Sequence, residues 1–256
     1  MMEFVSIEVS EGVAVVRLNR PPANAIDLQV GLELQEAFRE AGVRADVGAL
    51  VLTGGRKLFA AGADIKAMVN FGPEEIAPVV SALGDACDLL ASLPKISIAA
   101  VNGYALGGGF ELALAADLRY LAADATIGQP EVNLGVIPGA GGTQRIVHLA
   151  GAGVARDLVY TGRMVPAEEA YRLRLAERVA EPDAVLETAL ADARRFAAGP
   201  RNALAAAKAA IDAAVLTHGS AGLAREKALF TALFGGAEQR EGMAAFLQKR
   251  PPNFRG

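Results

Sequence analysis

Ile96-Ser97-Ile98-Ala99-Ala100-Val101-Asn102-Gly103-Tyr104-Ala105-Leu106-Gly107-Gly108-Gly109-Phe110-Glu111 joins an apolar strand-like run (Ile96 to Val101) to a helix-forming run (Phe110 to Ala116) across a triple glycine. Glycines ahead of a helix let main-chain N–H groups at its N-terminus approach a ligand with no Cβ in the way, which suits an anionic oxygen. Glycines at such a junction also serve turns, so the loop alone does not settle a function. Glu111 falls in the helix's first turn, and a second carboxylate follows in Gln129-Pro130-Glu131. Glutamate is ordinarily solvated. Here both have apolar neighbours, Phe110, Leu112 and Ala113 around the first and Val132, Leu134 and Val136 after the second. Burial disfavours the ionised form and lifts a carboxyl toward values useful in acid–base chemistry.

Outward from that stretch the same grammar repeats. Phe4 to Val9 and Val13 to Leu18 alternate as a β-hairpin, and the prolines of Asn19-Arg20-Pro21-Pro22-Ala23-Asn24 mark a loop. Asp27 is placed to cap a helix whose apolar face carries Leu28, Leu32, Phe38 and Ala41. Ala49 to Thr53 reads as a buried strand, and Phe59-Ala60-Ala61-Gly62-Ala63-Asp64-Ile65-Lys66 as a small-residue loop opening onto a helix. Pro73 and Pro78 punctuate the approach to a helix over Val80 to Leu93. Leu118 to Leu121 and Ala125 to Ile127 read as strands around a turn, and Gly135 to Thr143 as a further glycine-rich helix entry with a structural role. Recurring strand–loop–helix units of uneven length point to α/β, without the even alternation of a Rossmann or barrel fold. From Pro182 onward the chain turns Ala-rich and helical, over Ala184 to Phe196, Ala203 to Val215, Ala221 to Phe234 and Ala237 to Leu247.

Composition narrows the chemistry. With 256 residues, 52% of them hydrophobic, the chain suits one large domain or a domain with a helical appendage. A net charge of −4 gives no general basic surface for nucleic acid. Cys87 is the single cysteine, which excludes an internal disulfide and a thiolate cage, and it reads as an inert buried thiol. His148 and His218 are the only histidines, too few for a His-rich metal site. The start carries no signal-peptide pattern and no apolar run reaches membrane-spanning length, so a cytoplasmic protein is expected. A G-x-G-x-x-G fingerprint, a P-loop and a serine-hydrolase elbow are all missing; Ser220 has His218 two places before it. Paired carboxylates also serve glycoside hydrolysis, but a chain with 5% aromatics and no tryptophan lacks sugar platforms.

Phe59 to Lys66, Ala99 to Glu111, Gly128-Gln129-Pro130-Glu131 and Ile137-Pro138-Gly139-Ala140-Gly141-Gly142-Thr143-Gln144-Arg145, in that order and spacing, resemble the enoyl-CoA hydratase/isomerase (crotonase) superfamily over essentially the whole chain. The resemblance implies a crotonase-like spiral of ββα units over residues 1–196. It assigns residues 197–256 to an all-helical C-terminal trimerisation region, with a homotrimer or a hexamer made of paired trimers. It implies acyl-CoA thioesters as ligands, with CoA carried by the substrate and no metal or other cofactor.

By motif position, Ala63 and Gly108 would supply the oxyanion-hole amides, and Glu111 and Glu131 the acid–base pair. Ala61 would border the adenine, and Lys66 and Lys249 would meet the CoA phosphates, Lys249 from a neighbouring subunit. Ala23, Asp64, Ile65, Leu106, Gly107, Pro138 and Gly139 complete the implied substrate site. Relatives with glutamate at both positions are typically hydratases, so the resemblance implies syn addition of water to a 2-trans-enoyl-CoA. The alternatives are a 3-enoyl to 2-enoyl-CoA isomerase using Glu131 alone, or a non-catalytic acyl-CoA-binding relative. Pro21-Pro22-Ala23-Asn24-Ala25-Ile26 departs from the commonest family form, which has a longer spacer, and this bears on acyl-chain preference.

Overall fold

The computed structural model describes residues 2–216 and 236–254. The helix expected over 221–234, with His218 and Ser220, lies outside the described residues.

The chain winds as a spiral in which each turn gives a strand to one large sheet, then a shorter strand or bridge to a second sheet, then a helix. The large sheet is six-stranded, in the order β1 (Val5–Ser10), β2 (Val13–Leu18), β3 (Ala49–Thr53), β4 (Ile96–Val101), β6 (Leu118–Ala122), β9 (Arg178–Ala180). Only the β1–β2 hairpin is antiparallel; the other neighbours run parallel. A parallel sheet is covered on both faces, and β3 accordingly reads Ala-Leu-Val-Leu-Thr with every residue buried. The second sheet joins β5 (Tyr104–Leu106), β7 (Thr126–Gly128) and β8 (Met164–Pro166). Single bridges, Ile26 to Ala63 and Ala60 to Ala105, carry its line back through the two earlier turns of the spiral.

The helices follow from caps and apolar faces. Asp27 accepts the Val30 amide at 2.9 Å and starts α1 (Leu28–Val43). The buried face of α1 is Val30, Leu34, Ala37, Phe38 and Ala41. The expected face is corrected at two places: Leu28 and Leu32 are exposed and line a groove of about 500 Å3 with Met68, Phe71 and Val79. After the short α2 (Ile65–Met68), α3 runs from Pro73 to Ser92, longer than expected. Pro73 stands at the first helical position, where its missing N–H costs nothing, and Pro78 is absorbed inside the helix.

The central helix α4 (Gly108–Ala115) is buried at all eight positions, so its apolar residues face partners all round. β6 and β7 are not partners of one another, although the sequence suggested strands around a common turn; they belong to different sheets. A 3-10 turn over Pro130–Leu134 leads to α5 (Gly142–Thr161), which breaks at Gly151, φ +84°. β8, α6 (Ala167–Arg172) and β9 carry no signal strong enough to be read in advance. α7 (Val185–Ala198) packs on β3 and β4, and α8 (Arg201–Leu216) and α9 (Ala237–Leu247) follow. Lys208 of α8, almost fully buried, ties its ammonium to Asp117 at 3.0 Å.

Candidate active site

Two loops from successive turns of the spiral meet beside the N-terminus of α4. The first is the stretch after β3. Asn24 donates its side-chain amide to the carbonyls of Gly54 and Phe59, both at 2.9 Å, and the Ala61 amide donates to Ala23 at 3.0 Å. Ala23 thus braces this loop from beneath. The second is the turn from β5 into α4, where Leu106 donates to the Ala60 carbonyl at 3.0 Å.

Glycine is required where the loops touch. A Cβ on Gly109 would sit 2.3 Å from the Ala60 carbonyl oxygen, a backbone atom that cannot step aside. One on Gly62 would sit 3.1 Å from the Leu106 carbonyl, and one on Gly107 3.9 Å from the Gly62 Cα. Gly62 and Gly107 therefore lie side by side, both at positive φ, and each is followed by one of the expected donors, Ala63 and Gly108. Among the described residues neither the Ala63 nor the Gly108 N–H donates to a protein acceptor. Two amides on adjoining loops, one of them at a helix start, are left free for an oxyanion.

The carboxylates border the same place. Glu111, 2% exposed, accepts the Ala140 amide at 2.7 Å and the Gly142 amide at 2.8 Å through one oxygen, Oε1. The loop over Gly139–Gly142, expected to be structural, thus holds the buried acid in place. Glu131, half-buried, brings Oε1 within 3.0 Å of where a Cβ on Gly107 would be. In the amide orientation that satisfies its neighbours, fully buried Gln129 donates to Glu131 Oε1 at 2.8 Å and Oε2 at 3.1 Å.

Burial acts on both acids. Burial raises Glu111, and the amides of Gly142 and Ala140 and then the Arg145 cation pull against that rise. Burial pushes Glu131 up to about 7, and the charge of Glu111 adds to it. The Gln129 donors favour the ionised form of Glu131 and moderate its shift. Two carboxyls raised by burial and coupled through charge are suited to share acid and base work.

The remaining expected residues fall at different distances from this centre. Asp64 caps α2 through the Ala67 amide at 3.2 Å and pairs with Arg20 at 2.9 Å. The Arg20 hydrogen bond holds its carboxyl below the usual range, and both jobs are structural. Ala61 is exposed on the loop, and Ile65 and Lys66 are exposed at the start of α2. Pro138 is buried, and a Cβ on Gly139 would stand 3.2 Å from Val80, so α3 walls the site. Lys249 is exposed in the turn after α9. His148 is exposed on α5, and the fully buried Cys87 thiol is pushed up to about 12 by desolvation. Sequence reasoning assigned no role to Gln129, Ala140 or Arg145; the only signal was their place inside the quoted motifs.

The fold and the paired acids beside free amides define an acid–base enzyme of the crotonase-fold class. The chain belongs to the enoyl-CoA hydratase/isomerase family, whose model matches residues 8–256. It is 42% identical over 255 residues to echA8 of Mycobacterium bovis, named a probable enoyl-CoA hydratase, covering 98% of each chain. It is 40% identical over 255 residues to a crotonyl-CoA hydratase of Syntrophomonas wolfei, again covering 98% of each. The crystal structure of an enoyl-CoA hydratase from Bacillus anthracis superimposes with a TM-score of 0.95 at 36% identity, covering 99% of this chain and 100% of that one.

Proposed function

We propose that this protein is an enoyl-CoA hydratase that adds water across the 2,3 double bond of a 2-trans-enoyl-CoA to give a 3-hydroxyacyl-CoA. The observation that carries the reading is the convergence of Glu111 and Glu131 on the Gly107–Gly108 helix entry, with unpaired amides on both loops. The similarity to chains named enoyl-CoA and crotonyl-CoA hydratase supports it.

In this reading the thioester oxygen lies between the amides of Ala63 and Gly108. As water attacks C3, electrons move through the double bond onto that oxygen, and the fixed donors stabilise the enolate at no reorganisation cost. Glu111, gripped by two amides, orients the water and takes its proton. Glu131, which burial pushes up to about 7, enters protonated and gives its proton to C2. Water's oxygen ends on C3 as a hydroxyl with one of its hydrogens, its other proton sits on Glu111, and C2 carries the proton from Glu131. The proton has then passed from one carboxyl to the other, and a shift between them resets the pair, which titrates as a unit.

The substrate brings its own CoA, and the reaction needs no metal or redox group. Lys66 and Ala61 are assigned to the CoA head, with Lys249 reaching a neighbouring subunit's ligand in a homotrimer or a hexamer of paired trimers. A cytoplasmic location goes with this reading. Among the described residues no helix is long and apolar enough to cross a membrane.

Loss of the enoyl-thioester absorbance of crotonyl-CoA tests the proposal. Glu111→Gln and Glu131→Gln are each expected to lower kcat at least about 100-fold, the lower end of general acid–base contributions, with the fold intact. Near-parental turnover by either variant rejects its assignment.

A further inference from the structure

We propose that Arg145 is a positioning residue for Glu111: its guanidinium ties the loop that grips the buried acid to helix α3. The inference rests on the role given to Glu111 above and deepens it.

Arg145 donates Nη1 to the Ala140 carbonyl at 2.8 Å and Nη2 to Asp88 of α3, also at 2.8 Å. Ala140 is also the residue whose amide meets Glu111 Oε1, so one residue links the cation, through its carbonyl, to the acid, through its N–H. The guanidinium meets the turn through Nη1: a Cβ on Gly141 would stand 2.0 Å from it and 3.0 Å from Cζ. Gly141 itself sits at φ +105°, and its carbonyl accepts the Arg145 amide at 2.9 Å. The turn from Ala140 to Gly142 is thereby closed around the Arg145 side chain, which is 18% exposed.

Arg145 also supplies charge. Among groups facing Glu111, α5 brings the Arg145 cation and the 3-10 turn brings Glu131. α3 brings the neutral Cys87 thiol and Asp88, the latter paired with Arg145. The one titratable residue of β5 is Tyr104, which is exposed. Arg145 is thus the cation that opposes the rise imposed on Glu111 by burial, and it keeps that acid available as a base beside protonated Glu131. The tie acts on position and the charge acts on ionisation, so substitutions separate them. Lysine keeps the charge but cannot hold both partners in the planar fork. Glutamine loses both.

The test is the pH profile of kcat for crotonyl-CoA hydration by the parent, Arg145→Lys and Arg145→Gln, with Glu111→Gln as a second background. Arg145→Gln is expected to lower kcat about 10- to 100-fold, as a small misplacement of a reacting group does, with little change in KM. Its acid limb, set by Glu111 losing its proton, moves to higher pH. Arg145→Lys keeps the parental limb at a reduced kcat. In the Glu111→Gln background, Arg145→Gln adds less than about twofold, because its effect runs through the missing acid. Equal fold-losses in both backgrounds, or an unmoved limb in Arg145→Gln, overturn the proposal. If the parent does not hydrate crotonyl-CoA, the reading of the reaction fails, yet the inference is still decided. The Glu111 carboxyl, followed by 13C NMR of labelled glutamate and assigned with Glu111→Gln, titrates higher in Arg145→Gln or the inference is wrong.

Discussion

Gly107 and Glu131 are in contact: a Cβ built on Gly107 would lie 3.0 Å from Oε1 and 3.5 Å from the carboxyl carbon of Glu131. The glycine that precedes α4 therefore also sets the floor under one of the two acids. Gly107 holds φ +50° and ψ −127°, where an L side chain costs on the order of 1–3 kcal/mol. Gly107→Ala is expected to lose that much stability in urea denaturation, and kcat at least about tenfold as Glu131 is displaced. Parental kcat in a destabilised Gly107→Ala would break the link between glycine and acid.

The neighbouring glycines differ in what they face. A Cβ on Gly109 meets the backbone oxygen of Ala60 at 2.3 Å, whereas one on Gly108 meets the tip of Leu83 at 2.8 Å. Backbone cannot yield; a side-chain methyl can. Gly109→Ala is expected to cost about 2–3 kcal/mol or more in denaturant titration, the upper range for overpacking, and Gly108→Ala about 1 kcal/mol or less. A Gly108→Ala protein less stable than Gly109→Ala reverses that order and contradicts the packing.

Stability should depend on pH through Glu131. Its folded value of about 7 lies above the ordinary 4.5, through burial first and the Glu111 charge second. A raised carboxyl favours the folded state fully below pH about 4.5, and this share is lost as pH rises through about 7. Glu131→Gln removes the ionisation. Its Tm should match the parent near pH 4 and exceed it by about 5–10 °C at pH 8. A Tm difference that is the same at both pH values would show that Glu131 is not held up by burial.

Much of this was readable in the chain because it was written locally. Val13 to Leu18, Ala49 to Thr53 and Ile96 to Val101 are strands where apolar patterning placed them, and Asp27 caps α1 as its position suggested. Glu111 and Glu131 were legible from their neighbours. What stayed hidden depends on long-range approach. The three-residue strands β5, β8 and β9 are too short for periodicity to register, and they exist because a partner lies alongside. Leu28 and Leu32 fit helical spacing yet face a groove, since spacing names a face and not what covers it. The turn at Ala140 to Gly142 read as a generic helix entry. Its amides meet Glu111, on a different turn of the spiral, only once the chain is folded.

Gly108→Pro removes the N–H proposed to hold the thioester oxygen. Gly108 is the first residue of α4, a position where proline fits a helix while removing the N–H. A fall in kcat for crotonyl-CoA of about 100- to 1000-fold is expected, the loss for one oxyanion donor, with far-UV CD and Tm close to those of Gly108→Ala. A folded Gly108→Pro protein turning over within about fivefold of Gly108→Ala would contradict it, since a lost oxyanion donor costs far more than that.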